Sequence, residues 1–325
     1  MGSAGSSAKQ VLVKLLMLLS GTVFTFLLTE FYLKLSLPYE GLGAARELKQ
    51  FRNLENVSGL FTIDPDFGFR PVLGTSVYNK FGTLTGNYTL EKPEGVTRLL
   101  FIGDSVTARG KIIGAIWKLY NETNFEYWNA GVESFNTVQE VRFYKQYNAA
   151  IRPDHVILTF HLNDFETTPV AFLDEDGRLV VYAPNFPAKE LNPWLFKRSR
   201  LYRLYLGIAK TSNENIDAVI EDTRVSLKEL KNTLDRDNTI LTVLVLPLLK
   251  PYSEWKPGDK FSRETILQIL QDLDIRHFDL LNVVEQAMAG GIELCEQPGD
   301  DWHPSTAMSD LFARYLYENS LFSVP

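Results

Sequence analysis

The chain has 325 residues, 45% of them hydrophobic, with 33 Lys and Arg against 40 Asp and Glu and a net charge of −7. That is enough apolar material for one large domain or two small ones, and too much for a disordered chain. The acidic balance and the lack of a long basic run argue against nucleic acid as a partner, and the single cysteine, Cys295, excludes an intrachain disulfide or a cysteine-built zinc site.

Residues 11–38 read VLVKLLMLLSGTVFTFLLTEFYLKLSLP, and positions 15–29 carry no charge. Lys14, Glu30 and Lys34 sit where long side chains reach the membrane interface, so the segment is long enough to cross a bilayer. No convincing small-x-small cleavage site lies directly after the apolar run, so residues 1–38 are expected to be a single-span membrane anchor. Lys9 and Lys14 keep the N-terminus cytoplasmic by the positive-inside rule, which puts the remainder outside, periplasmic or extracellular. An amphipathic core helix is the competing reading. Sequons at Asn56, Asn87 and Asn121 decide nothing, because such triplets arise by chance.

Residues 39–95 are turn-rich, notably in DPDFGFRPVLGTS (64–76) and GNYTLEKPEG (86–95), and are expected to form a lead-in of loops and short hairpins. From 96 to 325 the pattern alternates. RLLFIG (98–103) is a continuous apolar run ending in glycine, as a buried parallel strand should be. A helix is expected at about 107–120, a strand at FEYWNAG (125–131), an amphipathic helix at 137–151 and a third strand at PDHVILTFHLND (153–164). An irregular insertion covers 170–212. Then come a helix near 215–235, the strand TILTVLVLP (239–247), a helix near 262–272, the weaker strand RHFDLL (276–281) and a closing helix near 305–320. This spacing predicts an α/β domain with a central parallel sheet and helices on both faces.

In such sheets ligands sit beyond the carboxyl ends of the strands. There the first strand delivers Gly103-Asp104-Ser105, the second Asn129-Ala130-Gly131 and the third Asn163-Asp164. The loop before the last helix adds Asp300 and His303. Each item alone has a bland reading, as a turn, a helix cap or a surface residue. Together they supply what acyl chemistry needs. A serine hydroxyl is a weak nucleophile until a base takes its proton, and His303 is the candidate base for Ser105. Asp300, three residues before His303, suits a loop-to-ring hydrogen bond that fixes the tautomer; Asp301 is the adjacent alternative. The backbone N–H groups of Ser105 and Gly131 and the side-chain amide of Asn163 are candidate oxyanion donors, with glycine at 131 allowing close approach of substrate.

The set GDS (103–105), NAGV (129–132), ND (163–164) and DDWH (300–303) resembles the SGNH, or GDSL-type, hydrolase superfamily. The likeness spans residues 98–320, and DPDFGFRP and YNKFGTLTG upstream are similar to the lead-in of membrane-anchored bacterial members. It implies a flavodoxin-like three-layer α/β/α sandwich, no metal and no cofactor, and action on esters or transfer of acyl groups. By position it implies Ser105 as nucleophile, Gly131 and Asn163 as oxyanion donors, and Asp300 and His303 completing a triad. Two departures stand out. His161 occupies a place usually held by glycine, and VTARGK follows Ser105 where anchored relatives are apolar and aromatic. His161, Arg109 and Asp104 are therefore candidate substrate contacts.

No G-x-S-x-G elbow surrounds Ser105, GDSVTARGK is no phosphate loop, and the four histidines form no metal motif. NPWLFKRSRLYRLYLG (192–207) carries four cations in seven residues, read as a solvated helix face, a flap, or a patch for anionic lipid or polysaccharide. The expected protein is a membrane-tethered serine esterase acting on O-acyl groups of a surface glycan or a small ester. An O-acyltransferase using the same residues and a non-catalytic glycan-binding or assembly protein are the rivals.

Overall fold

The computed structural model describes residues 4–36, 60–84, 86, 88–120, 124–173, 179–182, 192–209 and 214–322. All three sequons begin outside these residues. Contacts divide the chain into two compact units, Met1–Ser58 with Pro169–Ser212, and Gly59–Thr168 with Asn213–Pro325.

In the first unit, Ala4–Ser36 is one continuous helix. Its stretch Lys9–Ser36 is 28 residues long and contains an 18-residue window of mean hydropathy 2.2 with no buried residue, so it is long and apolar enough to cross a membrane. Val170–Leu173 pairs antiparallel with Leu179–Tyr182. Two helices follow, Pro193–Arg198, capped by Asn192 through Leu195 N–H at 3.1 Å, and Arg200–Ala209. The basic stretch docks on the long helix. The Glu30 carboxylate accepts from Ser199 Oγ (2.9 Å) and from the N–H groups of Arg200 (2.7 Å) and Leu201 (3.0 Å), capping the second short helix. Arg200 in return donates to the carbonyls of Leu33 and Lys34.

The second unit holds the sheet. Its strands are β1 (Thr97–Gly103), β2 (Phe125–Gly131), β3 (His155–His161), β4 (Ile240–Leu246) and β5 (Arg276–Asp279), all parallel and ordered β2-β1-β3-β4-β5. That is the flavodoxin-like doubly wound order, in which the winding direction reverses between β1 and β3. The helices are α1 (Ser105–Ala108), α2 (Lys111–Tyr120), α3 (Thr137–Gln146), α4 (Glu214–Arg236), α5 (Pro257–Asp272), α6 (Leu281–Ala289) and α7 (Thr306–Glu318). Strand alternation sorts the core into two layers. Leu100, Ile102, Val156, Leu158 and Phe160 pack with α3, α4 and α5. Leu99, Phe101, Ile157, Leu244 and Leu246 pack with α2, α6 and α7. Both faces are therefore covered, which is why β1, β3 and β4 read as nearly continuous apolar runs.

Part of the lead-in is integral to this unit. Phe61–Asp64 and Gly68–Pro71 form an antiparallel hairpin. Its Phe67 and Phe69 are almost fully buried against Phe135 and Phe143, with ring centroids 5.5–6.1 Å apart. Tyr78 Oη then donates to the carbonyl of Gly131 at 3.2 Å, tying the lead-in to the end of β2.

At the opposite end of β1, Arg98 is 1% exposed. It pairs with Glu126 at 2.7 Å and donates to the carbonyls of Thr89 (2.6 Å), Leu90 (3.0 Å) and Ile151 (2.7 Å). Removing one member of a buried pair strands its partner's charge. Arg98→Ala is expected to lower stability by about 3–5 kcal/mol, read from the denaturant midpoint of the full chain in detergent.

Candidate active site

β1 ends at Gly103, and Asp104 caps α1 by accepting from Val106 N–H at 2.9 Å. Ser105 is thus the first helical residue, and its own N–H is among those without an intrahelical acceptor. α1 lasts one turn. Gly110, at φ 69°, adopts the left-handed conformation that ends it, where the sequence suggested one helix from 107 to 120.

The histidine arrives on the loop before α7. Ser305 caps that helix through Met308 N–H at 3.0 Å and donates its own N–H to Leu294 O at 2.8 Å, while Glu296 N–H donates to His303 O at 2.8 Å. So held, His303 Nε2 lies 2.9 Å from Ser105 Oγ. On the other side of the ring Nδ1 lies 2.8 Å from Asp300 Oδ2, and Asp300 Oδ1 accepts from the N–H groups of Trp302 (3.1 Å) and His303 (3.2 Å). A proton on Nδ1, donated to the carboxylate, leaves Nε2 free to accept the serine proton. Partial burial pushes the Asp300 carboxyl up, but the bonds from His303 and from the backbone outweigh it and hold the group below its usual range. Asp301 is engaged elsewhere, 2.8 Å from Lys250 Nζ, with its carbonyl accepting from Leu249 N–H. Of the two adjacent acids, Asp300 is the one that meets the ring.

Asn163 sits in the short 3-10 turn Leu162–Asp164 directly after β3. Gly131 differs from expectation. Its N–H donates to Asn129 Oδ1 at 2.9 Å, so in this structure it is not free to receive an oxyanion. A Cβ at this position would stand 2.2 Å from Ala108 N and 2.7 Å from Thr107 C. α1 packs its backbone against this glycine and leaves no room for a Cβ. Three residues on, Ser134 has φ 61°, a left-handed conformation unusual for a side-chain-bearing residue, in the loop that leaves the same strand edge. Sequence reading passed over it because no glycine marks the place.

The remaining candidates also have definite positions. Arg109 pairs with Glu296 at 2.6 Å, and Lys111 joins the same carboxylate at 3.1 Å, so the end of α1 is tied to the histidine loop. Asp104 is 3% exposed and serves as a cap rather than lining an open surface. Burial raises its carboxyl to about 6, against the opposing pull of Val106 N–H, His303 and Arg109. His161 is 1% exposed, with its ring centroid 4.7 Å from that of Trp302.

Behind Ser105 lie two further buried acids. Asp164 Oδ2 accepts from His161 N–H (3.0 Å) and Thr137 Oγ1 (3.1 Å), which fixes the turn carrying Asn163, while its Oδ1 has no partner. Glu140 of α3 has no partner at either oxygen. Burial, and then repulsion from neighbouring acids (Asp164 and Asp104 for Glu140, Asp104 for Asp164), push both carboxyls well above their usual range. Both carboxyls are therefore biased toward the protonated form. Among the described residues no group of three or more His, Cys, Asp or Glu is arranged to hold a metal ion.

No family model matches the chain, and no curated protein matches it. Among solved structures, a catalytic mutant of an acetylxylan esterase from Geobacillus stearothermophilus aligns at 15% identity over 70% of this chain and 95% of that one, with a TM-score of 0.46. The unmutated enzyme aligns at 14% identity over 70% and 96%, with a TM-score of 0.43. An alpha/beta hydrolase enzyme from the metagenome of Lake Arreo, Spain, aligns at 14% identity over 70% and 97%, with a TM-score of 0.46.

The upward shift of these acids makes a prediction about stability. An acid whose folded-state pKa is raised binds its proton more tightly in the native state, so its contribution is full below the unfolded pKa and is lost as pH rises toward the folded value. Glu140→Gln keeps the shape and removes the titration. Denaturant unfolding at pH 5 and pH 8 should show a smaller loss of stability between the two in Glu140→Gln than in the parent, and an equal or larger loss would mean that Glu140 is charged in the folded chain.

Proposed function

We propose that the chain is a membrane-tethered serine ester hydrolase of SGNH type, acting on O-acyl groups, with its catalytic unit on the extracytoplasmic side. The observation that carries this reading is the continuous hydrogen-bond path Ser105 Oγ–His303–Asp300, with spacings of 2.9 and 2.8 Å. In the proposed reaction His303 Nε2 takes the Ser105 proton as Oγ attacks the ester carbonyl, and Asp300 stabilises the imidazolium that forms. The tetrahedral oxyanion is received by Ser105 N–H and the Asn163 amide. A second backbone donor in this reading comes from the loop after β2. There the Gly131 N–H would first have to leave Asn129, and the left-handed Ser134 is the alternative. The imidazolium then protonates the leaving alcohol, and water, activated by the same histidine, releases the acid.

An alcohol in place of that water would make the chain an O-acyltransferase with the same residues. The long apolar helix supports a tether at the membrane, where O-acylated surface glycans would be within reach. No metal or cofactor enters any step.

The full chain in detergent is expected to be labelled by a fluorophosphonate and to hydrolyse p-nitrophenyl acetate. Ser105→Ala should abolish both, and Asp300→Asn should lower kcat by about 10³- to 10⁴-fold through loss of the correct tautomer. Release of free acetate from acetylated sugars without an added acceptor supports hydrolysis, whereas product only with an acceptor alcohol supports transfer. A folded chain that neither labels nor cleaves would leave the glycan-binding reading.

A further inference from the structure

We propose that the ring of His161 donates a hydrogen bond to the substrate oxygen that becomes the oxyanion, beside Asn163. This rests on the ester-hydrolase reading and adds a residue to it. His161 is the last residue of β3, two positions before Asn163. It follows the alternation that sends Ile157 into the layer of α2, α6 and α7, the layer that also takes in Val106 of α1. That is the face on which Ser105 and the histidine loop meet.

The ring is almost fully buried, and neither Nδ1 nor Nε2 makes a hydrogen bond of good geometry; the Asn163 side chain, whose Oδ1 is buried too, lies close enough to act on the ring but out of line for such a bond. The two ring nitrogens, next to His303, form a polar spot that no bond of good geometry within the protein satisfies. Buried polar groups are ordinarily bonded, and leaving them unbonded costs stability. Had the ring been kept only to pack on Trp302, phenylalanine would fill that place without two stranded nitrogens.

The groups facing the ring are His303, Asp300, Asn163 and Trp302. Burial first, then the positive charge available to His303, lower the His161 pKa to about 3, against the weaker opposing influence of Asn163 and Asp300. The ring is therefore uncharged at neutral pH, with one N–H to donate. That form suits its place. While His303 becomes an imidazolium, a second cation beside it would be repelled, but a neutral imidazole can still polarise a carbonyl.

Two variants and one spectroscopic measurement test this. His161→Phe keeps the aromatic volume and the contact with Trp302 but removes both nitrogens. It should lower kcat for p-nitrophenyl acetate by about 100-fold, the scale of losing one oxyanion donor, with KM within about 3-fold. His161→Gln restores an N–H and should recover at least about 10-fold of that loss, which a packing role would not do. In the parent chain carrying 15N-histidine, with the signal assigned by His161→Gln, the His161 ring N–H resonance should move downfield when a fluorophosphonate forms its tetrahedral adduct on Ser105. An unchanged kcat in His161→Phe, no recovery in His161→Gln, or an unmoved resonance in a fully labelled chain overturns the inference while the esterase reading stands. Should His161→Phe fail to fold, the resonance decides. A chain that does not label at Ser105 removes both readings together.

Discussion

A 2.9 Å hydrogen bond joins Ser105 Oγ to His303 Nε2 across 198 positions of sequence, and the geometry of the site hangs on it. A contact this long in sequence survives only if each end is fixed independently, because loop closure alone would leave its ends free to wander. Ser105 is fixed by the cap that starts α1. His303 is fixed by a loop stitched at several points: a bridge between Cys295 and Pro304, the backbone bonds of Glu296 and Ser305, and the Leu249 N–H donated to Asp301 O. The pairs from Arg109 and Lys111 to Glu296 then tie one end to the other. Exposed ion pairs contribute little stability singly, but these need only hold the distance between two segments that are already ordered.

Below that bond the strand ends are packed too closely for change. α1 lies on the backbone of Gly131, with Asn129 donating to Thr107 O at 2.9 Å from beneath. The Gly131 carbonyl is held by Tyr78 of the lead-in. The lead-in hairpin is anchored in turn by Phe67 and Phe69 against α3, and Gln139 of α3 donates to Phe67 O at 2.6 Å. Residues that read as a preamble to the domain therefore help to brace the sheet edge that carries the candidate site.

Much of the scaffold was legible in the residues because a doubly covered parallel sheet imposes a simple pattern. The apolar runs at 98–103, 125–131 and 239–247 became strands within a residue or so of those limits, and the fold class follows from them. α6 was missed, since LNVVEQAMA is only nine residues and follows β5 after a single intervening residue, leaving its helical period too little room to show. The long helices at 107–120 and 137–151 were each drawn past their real ends, in one case across Gly110 and in the other into a 3-10 turn, Asn148–Ile151. Site residues were legible where chemistry demands a type, as with Ser105, Asp300 and His303, which the structure brings together. They were illegible where only backbone conformation matters. Ser134 takes a glycine-like φ without being glycine, and the engagement of the Gly131 N–H by Asn129 depends on a side-chain orientation that no motif records.

Charge sets the last constraint. Asp104, Glu140 and Asp164 are all buried beside the elements that carry Ser105 and Asn163, and three like charges cannot coexist there without a cation among them. The upward shift of Glu140 and Asp164 toward the protonated form relieves this repulsion. Asp104 has the best reason to ionise, since it caps a helix N-terminus, where a negative charge is favoured, and feels both His303 and Arg109. One negative charge near the imidazole, in addition to Asp300, favours an imidazolium in the proposed reaction. Further charges would destabilise the fold around it. His161 follows the same logic from the opposite sign: a second imidazole can stand beside His303 because burial keeps it neutral, so the site holds two histidines and only one candidate cation.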